Sequence, residues 1–447
     1  MGSGVYHQGD NQIKITNMNR YLLFACMILA QVPAFSQKIL TLRECYDQAA
    51  ATNALAHEKE AYQEIWQLKD QNLSRNWLPT IDANGSFVYN SSVVDLSDMM
   101  GSLPIPGLAD QLKPLPHEQY KVTLDVSQVL YDGGATKGAR ELEQASLGLN
   151  QKQTEADQYR LRGQINGYYF NLLLLERQRE LLSTYLELID KRMASLNSAL
   201  ASGMVLKQDL DVLLSEKIRL QQQLAENDIR KSAFRKILSD LTANPVDAST
   251  TFILPEIPAG MTDEITRPEL QLFDLRKDQL AASLKLTGSK RLPKAFGFAT
   301  FGYGNPPGSN FFRDEFAPFF IAGAGFKWNV FDWNRVRDEK RVISLQQGVL
   351  DARKTDLSDQ LKQLLDAKKA EIESVESLLA TDSELISIRK RITLAASSKY
   401  ENGTITATEY LNELNAERQA LINREMHTVT LSLARVEYLT ICGQEIK

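Results

Sequence analysis

Residues 129–141 read VLYDGGATKGARE, and residues 329–341 read NVFDWNRVRDEKR. Each begins as a strand, turns at an Asp followed by two residues, and continues as a charged helix. A second landmark repeats with the first. Ala201-Ser202-Gly203 is followed by MVLKQDL, and Glu401-Asn402-Gly403 by TITATEYL. Two motifs recurring in the same order two hundred residues apart indicate two copies of one large unit rather than a short solenoid repeat. The division that follows is an N-terminal extension and leader over 1–36, a first repeat over 37–265 and a second over 266–447.

Each repeat opens on a helix. Thr41-Leu42-Arg43-Glu44 has the spacing of a capping box, and its helix is expected to run to Trp77 and stop at Leu78-Pro79. In the second copy Thr266 is expected to cap, Pro268 to occupy the first turn and Glu269 to close the box, with the helix ending near Leu292-Pro293. A strand pair follows each helix, over about 81–130 and about 296–331. Ile81, Ala83, Phe87 and Tyr89 alternate with Asp82, Asn84, Ser86 and Asn90. Val122, Leu124, Val126 and Leu130 alternate with Lys121, Thr123, Asp125 and Ser127. Phe320, Ala322, Ala324, Phe326, Trp328 and Val330 share one face of the last strand. A period of two predicts a sheet with one apolar face and one polar or small face. The connections over 91–118 and 304–318 are rich in Pro, Gly, Ser and Asn and read as exposed loops.

The segments after the strands, 134–201 and 334–401, contain no Pro and carry Leu, Ile and Ala at helical spacing. At 1.5 Å per residue each spans about 100 Å. Gly203 and Gly403 supply left-handed cap positions, and helices over 206–241 and 406–440 return. Leu206, Leu210, Leu213, Lys217 and Leu220 form a heptad-like stripe on the first returning helix, so the hairpins about 134–241 and 334–440 are expected to pack as coiled coils. Residues 242–265 and the chain ends remain for short mixed elements.

Composition bounds the function. The chain has 447 residues, a formal net charge of −5 and 8% aromatic residues, with no basic excess to suggest nucleic acid. Met18-Asn19-Arg20, the apolar run Tyr21 to Ala34 and Phe35-Ser36 read as a secretory leader cleaved after Ser36, with 1–17 an over-long start. A buried or membrane-anchoring N-terminal helix is the other reading. Cys26 lies inside the apolar run and is a weak lipidation candidate. Cys45 and Cys442 form either a disulfide, which an oxidising compartment permits, or two buried thiols. His7, His57, His117 and His427 are scattered and lack metal-site spacing. The sequence has no G-x-S-x-G elbow and no zinc motif, and GGATKG at 133–138 lacks the full nucleotide-binding pattern.

Amphipathic strands of about ten residues in an exported chain fit a transmembrane barrel, but four strands do not close one, and open edges are not tolerated in hydrocarbon. An ordinary sheet packed on helices is the bland alternative.

These features together resemble the outer membrane efflux protein family, the TolC-like channels, over nearly all of the chain beyond the leader. The residues that carry the resemblance are the duplicated motifs at 129–141 and 329–341, the tip glycines 203 and 403, RPEL at 267–270, and the Leu78-Pro79 and Leu292-Pro293 junctions. The resemblance implies a mainly α fold with a membrane β-barrel. It is built as a homotrimer, with four strands per protomer in a twelve-stranded barrel above a long periplasmic helical tunnel. It implies passive conduction in efflux or type I secretion, with no catalysis and no cofactor, in partnership with a periplasmic adaptor and, through it, an inner-membrane transporter. Ser202, Gly203, Asn402 and Gly403 fall on the family's adaptor-contact tips. Glu409 and Asn412 fall on its two acidic constriction positions; Glu409 keeps the charge and Asn412 departs from it. Ile405 stands where some members have an arginine. Thr406-x-x-Glu409 is also a capping box, so Glu409 has two readings, ring and cap. Phe87, Tyr89, Val122, Leu124, Phe320, Phe326 and Trp328 are the candidate lipid-facing residues. The competing reading is a periplasmic coiled-coil structural or adaptor protein without a pore.

Overall fold

The computed structural model describes residues 1–4, 38–52, 55–93, 115–201, 206–257, 262–310 and 313–446. The expected leader, its cleavage point and Cys26 lie outside the described residues, as do Ser202 and Gly203. The elements, in order, begin with strand β1 (Ile39–Leu40) and helices α1 (Leu42–Thr52) and α2 (Ala56–Ser74). Strands β2 (Thr80–Tyr89) and β3 (Glu118–Tyr131) lead into helices α3 (Ala135–Ala201) and α4 (Lys207–Thr242). The second half runs β4 (Thr251–Phe252), α5 (Pro268–Ser289), β5 (Lys294–Asn305), β6 (Ala317–Lys327), α6 (Arg335–Glu401) and α7 (Ala407–Cys442).

Where propensity and caps agree, the elements form as expected. The Thr41 N–H donates to Glu44 Oε2 at 2.8 Å and the Glu44 N–H to Thr41 Oγ1 at 3.2 Å, a reciprocal box at the start of α1. The expected first helix is described as α1 and α2, and its last turn before Leu78 is 3-10, over Arg75–Trp77. The second capping box does not form. Both the N–H and the hydroxyl of Thr266 are taken by the Cys442 carbonyl, at 2.7 and 3.2 Å, and the Glu269 carboxylate pairs with Arg267. The unsatisfied carbonyl at the end of α7 thus outcompetes the local cap, which joins the repeat junction to the chain end.

Four strands form one antiparallel sheet in the order β2-β3-β5-β6, so β2 and β6 each keep one unpaired edge. The helices continue beyond the strand ends and pack on one another in a layer. Near the sheet α2 packs on α3, α3 on α5 and α5 on α6. Toward the far end α4 packs on α3, α3 on α7 and α7 on α6. The 67-residue helices α3 and α6 run the whole length; α5 and α7 stack end to end between them, and α2 and α4 lie on the other side of α3.

Two apolar clusters hold this layer. The first gathers α1, the parallel β1–β4 pair, the middle of α3 and the end of α7 around Tyr169, Phe170 and Leu439. The Tyr169 hydroxyl lies 2.9 and 2.7 Å from the Leu40 and Ile253 carbonyls, which ties β1 to the segment after β4. Cys45 and Cys442 are free buried thiols within this cluster, and burial pushes the Cys45 thiol up to about 12. The second cluster lies toward the helix tips, where Leu213 and Leu220 of the expected stripe pack on Leu182, Ile189, Tyr410 and Leu414. Lys217 interrupts the stripe by pairing with Asp190 at 2.7 Å, while Leu206 is exposed.

Candidate functional site

The sheet places its apolar residues by register. Ala83, Leu124, Phe301 and Phe320 stand in one row across the four strands, and Val122, Tyr303 and Pro318 in the next. Phe87 stands opposite Tyr120, Tyr89 opposite Glu118, and Phe326 opposite Ala295, all on this same face. Phe87, Tyr89, Val122, Leu124, Phe320 and Phe326 are all exposed. Trp328 lies just past the end of β6, exposed, with its indole N–H donating to the Arg291 carbonyl at 3.0 Å. That arrangement gives it an apolar body and a satisfied polar edge, the form favoured at an interface.

The opposite face departs from the expectation of polar or small residues. Asp82, Asn84, Thr123 and Asp125 occupy its first half, where Asn84 and Thr123 donate to Asp125 at 2.8 Å and Thr300 at 2.5 Å. Its second half carries Phe296, Phe298 and Phe319. Each ring lies over the glycine paired with it across the strands, Gly325, Gly323 and Gly302. Alternation alone did not assign these rings to a face, because the Phe-Gly spacing of β5 has aromatic residues in both registers.

At the far end of the layer the second tip is fully described. Helix α6 ends with Asn402 capping back on the Ser398 carbonyl at 2.8 Å and Gly403 at φ +71°. Thr404 donates from both N–H and hydroxyl to the Lys399 carbonyl, at 2.9 and 2.8 Å. Helix α7 then starts on a complete box. The Thr406 N–H donates to Glu409 Oε2 at 2.8 Å, and the Glu409 N–H to Thr406 Oγ1 at 3.2 Å. Glu409 and Asn412 are both exposed, three residues apart on one face of α7. Ile405 is half-buried against the tip cluster.

The backbone and hydroxyl of Thr406 hold the Glu409 carboxyl below its ordinary value of 4.5. A carboxylate whose folded value is depressed contributes stability above its unfolded value and loses it as pH falls through the folded one. The start of α7 is therefore expected to keep its cap at neutral pH and to fray as pH drops below about 4.5. Amide exchange at Glu409 and Tyr410 across that range checks it, and protection unchanged into strong acid would count against the cap.

The sequence reading did not find several contacts at and above the tip. Arg192 of α3 reaches across to donate to Glu401 Oε1 and Ser397 Oγ, both at 2.5 Å, and holds the Glu401 carboxyl below its usual range. Its guanidinium lies 5.7 Å from the Tyr410 ring, which stacks on Tyr400 at 5.3 Å and 3°. Higher up, Arg418 of α7 donates to Glu216 of α4 at 3.0 Å, and Arg219 pairs with the same carboxylate at 2.8 Å. His427 Nδ1 lies 2.8 Å from Asp382 between α6 and α7. All of these except the Arg219 pair are contacts between different helices, and the Arg192 and Arg418 contacts span some two hundred residues, so local spacing carries no trace of them. Among the described residues there is no cluster of metal-ligating side chains, and no helix is long and apolar enough to cross a membrane.

Residues 46–232 match a protein-family model described as outer membrane efflux protein. No curated protein sequence matches the chain. Among solved structures, the chain is similar to the Campylobacter jejuni CmeC outer membrane channel at 15% identity and a TM-score of 0.65, over 91% of this chain and 86% of that one. It is similar to the Neisseria gonorrhoeae MtrE outer membrane channel in its open state at 16% identity and a TM-score of 0.65, over 90% and 89%. The Vibrio cholerae outer membrane protein VceC shares 15% identity and a TM-score of 0.63, over 89% and 96%. The duplicated strand-to-helix architecture, the family match and this shared fold agree: residues 46–232 are similar to the outer membrane efflux protein family, and the chain has the fold of these outer membrane channels.

Proposed function

We propose that three copies of the chain assemble into one exit duct, with their sheets closing a twelve-stranded barrel and their helical layers a periplasmic tunnel. The observation that carries this is the pair of bare edges, β2 and β6, bracketing a sheet whose exposed apolar face suits lipid. Unpaired backbone groups are not tolerated in hydrocarbon, and rotational closure by identical copies pairs them. The outer face of α6 supports the same reading. Leu364, Leu378, Leu385 and Ile392 recur there at multiples of seven and are exposed, as are Leu214 and Ile218 on α4 and Ile65 and Leu68 on α2. Such a stripe is a coiled-coil seam awaiting a neighbour.

In this assembly each repeat, 37–265 and 266–447, supplies one strand pair and one hairpin. Phe87, Tyr89, Val122, Leu124, Phe320, Phe326 and Trp328 face lipid. The tips at Ser202, Gly203, Asn402 and Gly403 meet a periplasmic adaptor, which couples the duct to an inner-membrane transporter. Three Glu409 side chains ring the constriction, aided by their exposure, while Asn412 contributes no charge to it. Glu409→Ala is expected to reduce cation preference in the closed state; a variant that changes only α7 stability leaves Glu409 as a cap alone.

The test is single-channel recording of the purified protein in a planar bilayer. A low, cation-preferring conductance that rises on loosening residues 400–412 supports the duct. Failure to insert, with a water-soluble monomer by light scattering, favours a periplasmic coiled-coil protein without a pore.

A further inference from the structure

The two strand-to-helix turns are equivalent in the repeat but not in their surroundings. In the first, Gly133 has φ +69°, and a Cβ there would lie 2.8 Å from Leu292 Cβ and 3.3 Å from the Ser289 carbonyl. This turn is seated tightly on the junction where α5 gives way to β5. In the second turn the same positions hold Trp333 and Asn334, at φ +53° and +63°. The Asp before them keeps its task in both copies: Thr136 N–H donates to Asp132 at 2.6 Å, and Val336 N–H to Asp332 at 3.2 Å. The two turns thus share one backbone shape although the second has tryptophan, a bulky residue for which positive φ is strained, where the first has glycine.

Strain of this kind points to a role for the side chain, and within the chain the indole has almost none. Trp333 is 84% exposed and Phe331 65%; they touch edge to face, with centroids 4.9 Å apart. The repeat says what covers them. The first turn sits on the Leu292-Pro293 junction of the second copy. The matching junction of the first copy is Trp77-Leu78-Pro79, and it too is bare, with Trp77 42% and Leu78 60% exposed. These two surfaces do not meet inside one chain, because the junction leads into β2 and the turn follows β6, the opposite edges of the sheet.

We propose that Phe331 and Trp333 of one protomer pack on Trp77 and Leu78 of a second copy, where Gly133 packs on Leu292 within the chain, and that the indole wedges this seam wider than the internal one. The occupant is a second copy, because the internal repeat already contains the contact in its glycine form. The proposal rests on the trimeric reading above. It adds that the six strand-to-helix seams of the trimer are of two kinds, three tight and three held open by tryptophan.

The test uses the full chain in its membrane, with Trp333→Cys and Leu78→Cys together and a short bismaleimide crosslinker. Covalent dimers and trimers are expected from the double variant and not from either single one. A trimer by light scattering that yields no crosslinked species overturns the proposal, and a wild-type monomer overturns the trimeric reading beneath it. Trp333→Gly gives a second arm, since it relieves the strained backbone while removing the wedge. It is expected to lower the temperature at which the detergent-resistant trimer dissociates; an equal or higher temperature overturns the proposal. Quenching by brominated lipids that is present in the wild-type chain and lost in Trp333→Phe assigns the indole to lipid headgroups instead, and also overturns it.

Discussion

Leu124→Arg is expected to prevent assembly in the outer membrane. Leu124 lies in the middle of β3, in a row with Ala83, Phe301 and Phe320 across all four strands. If this face meets hydrocarbon, an arginine there sits near the bilayer midplane and costs about 2–4 kcal/mol. In the proposed trimer that cost recurs three times in one barrel. Thr123→Arg, one residue away on the opposite face, is expected to assemble, because that face already carries Asp82, Lys121 and Asp125. Phe326→Asp, at the end of β6 nearest the helices, is expected to fall between them, since the penalty shrinks toward the interface. Urea titration of folding into vesicles measures the three. Equal folding of the Leu124 and Thr123 variants would overturn the assignment of the faces, and the opposite order would reverse it.

Glu216→Ala is expected to destabilise the helical layer by about 3–5 kcal/mol, the cost of leaving a buried charge without its partner. The Glu216 and Arg418 side chains are 8% and 9% exposed, and they join the hairpin of the first copy to that of the second. Removing the carboxylate strands Arg418, whose remaining neighbour is the Tyr185 ring at 5.9 Å. The reverse change is milder. Arg418→Ala leaves Glu216 paired with Arg219, a half-exposed side chain three residues along the same helix. Thermal unfolding followed by helical circular dichroism should therefore rank Glu216→Ala as the more damaging variant. The opposite order would show that the burial of Arg418, and not its pairing, dominates.

Much of the fold was legible because its determinants are local. Strand alternation over Ile81 to Tyr89, the absence of Pro through 134–201 and the Thr406-Glu409 box each act within a few residues. The Thr266 box misled for a related reason. Its pattern is local, but the Cys442 carbonyl that competes for both Thr266 donors lies at the end of the last helix. The tip was legible in part. Asn402, Gly403 and Glu409 fall where the repeat placed them, whereas Arg192 and the Tyr400–Tyr410 stack arise only when α3, α6 and α7 converge.

Residue order alone established that this protein is built twice, from a strand pair and a long helical hairpin, and that one sheet face is apolar. Periodicity and punctuation suffice for that, because a side chain's direction follows from its position in a helix or strand. Which elements adjoin emerged with the folded chain. It set the order β2-β3-β5-β6, seated three phenylalanines over glycines, buried the Glu216–Arg418 pair, and left Trp333 at positive φ on an open edge. Those outcomes depend on which surfaces meet after the chain has turned back on itself, and on partners that segments far apart in sequence supply to one another.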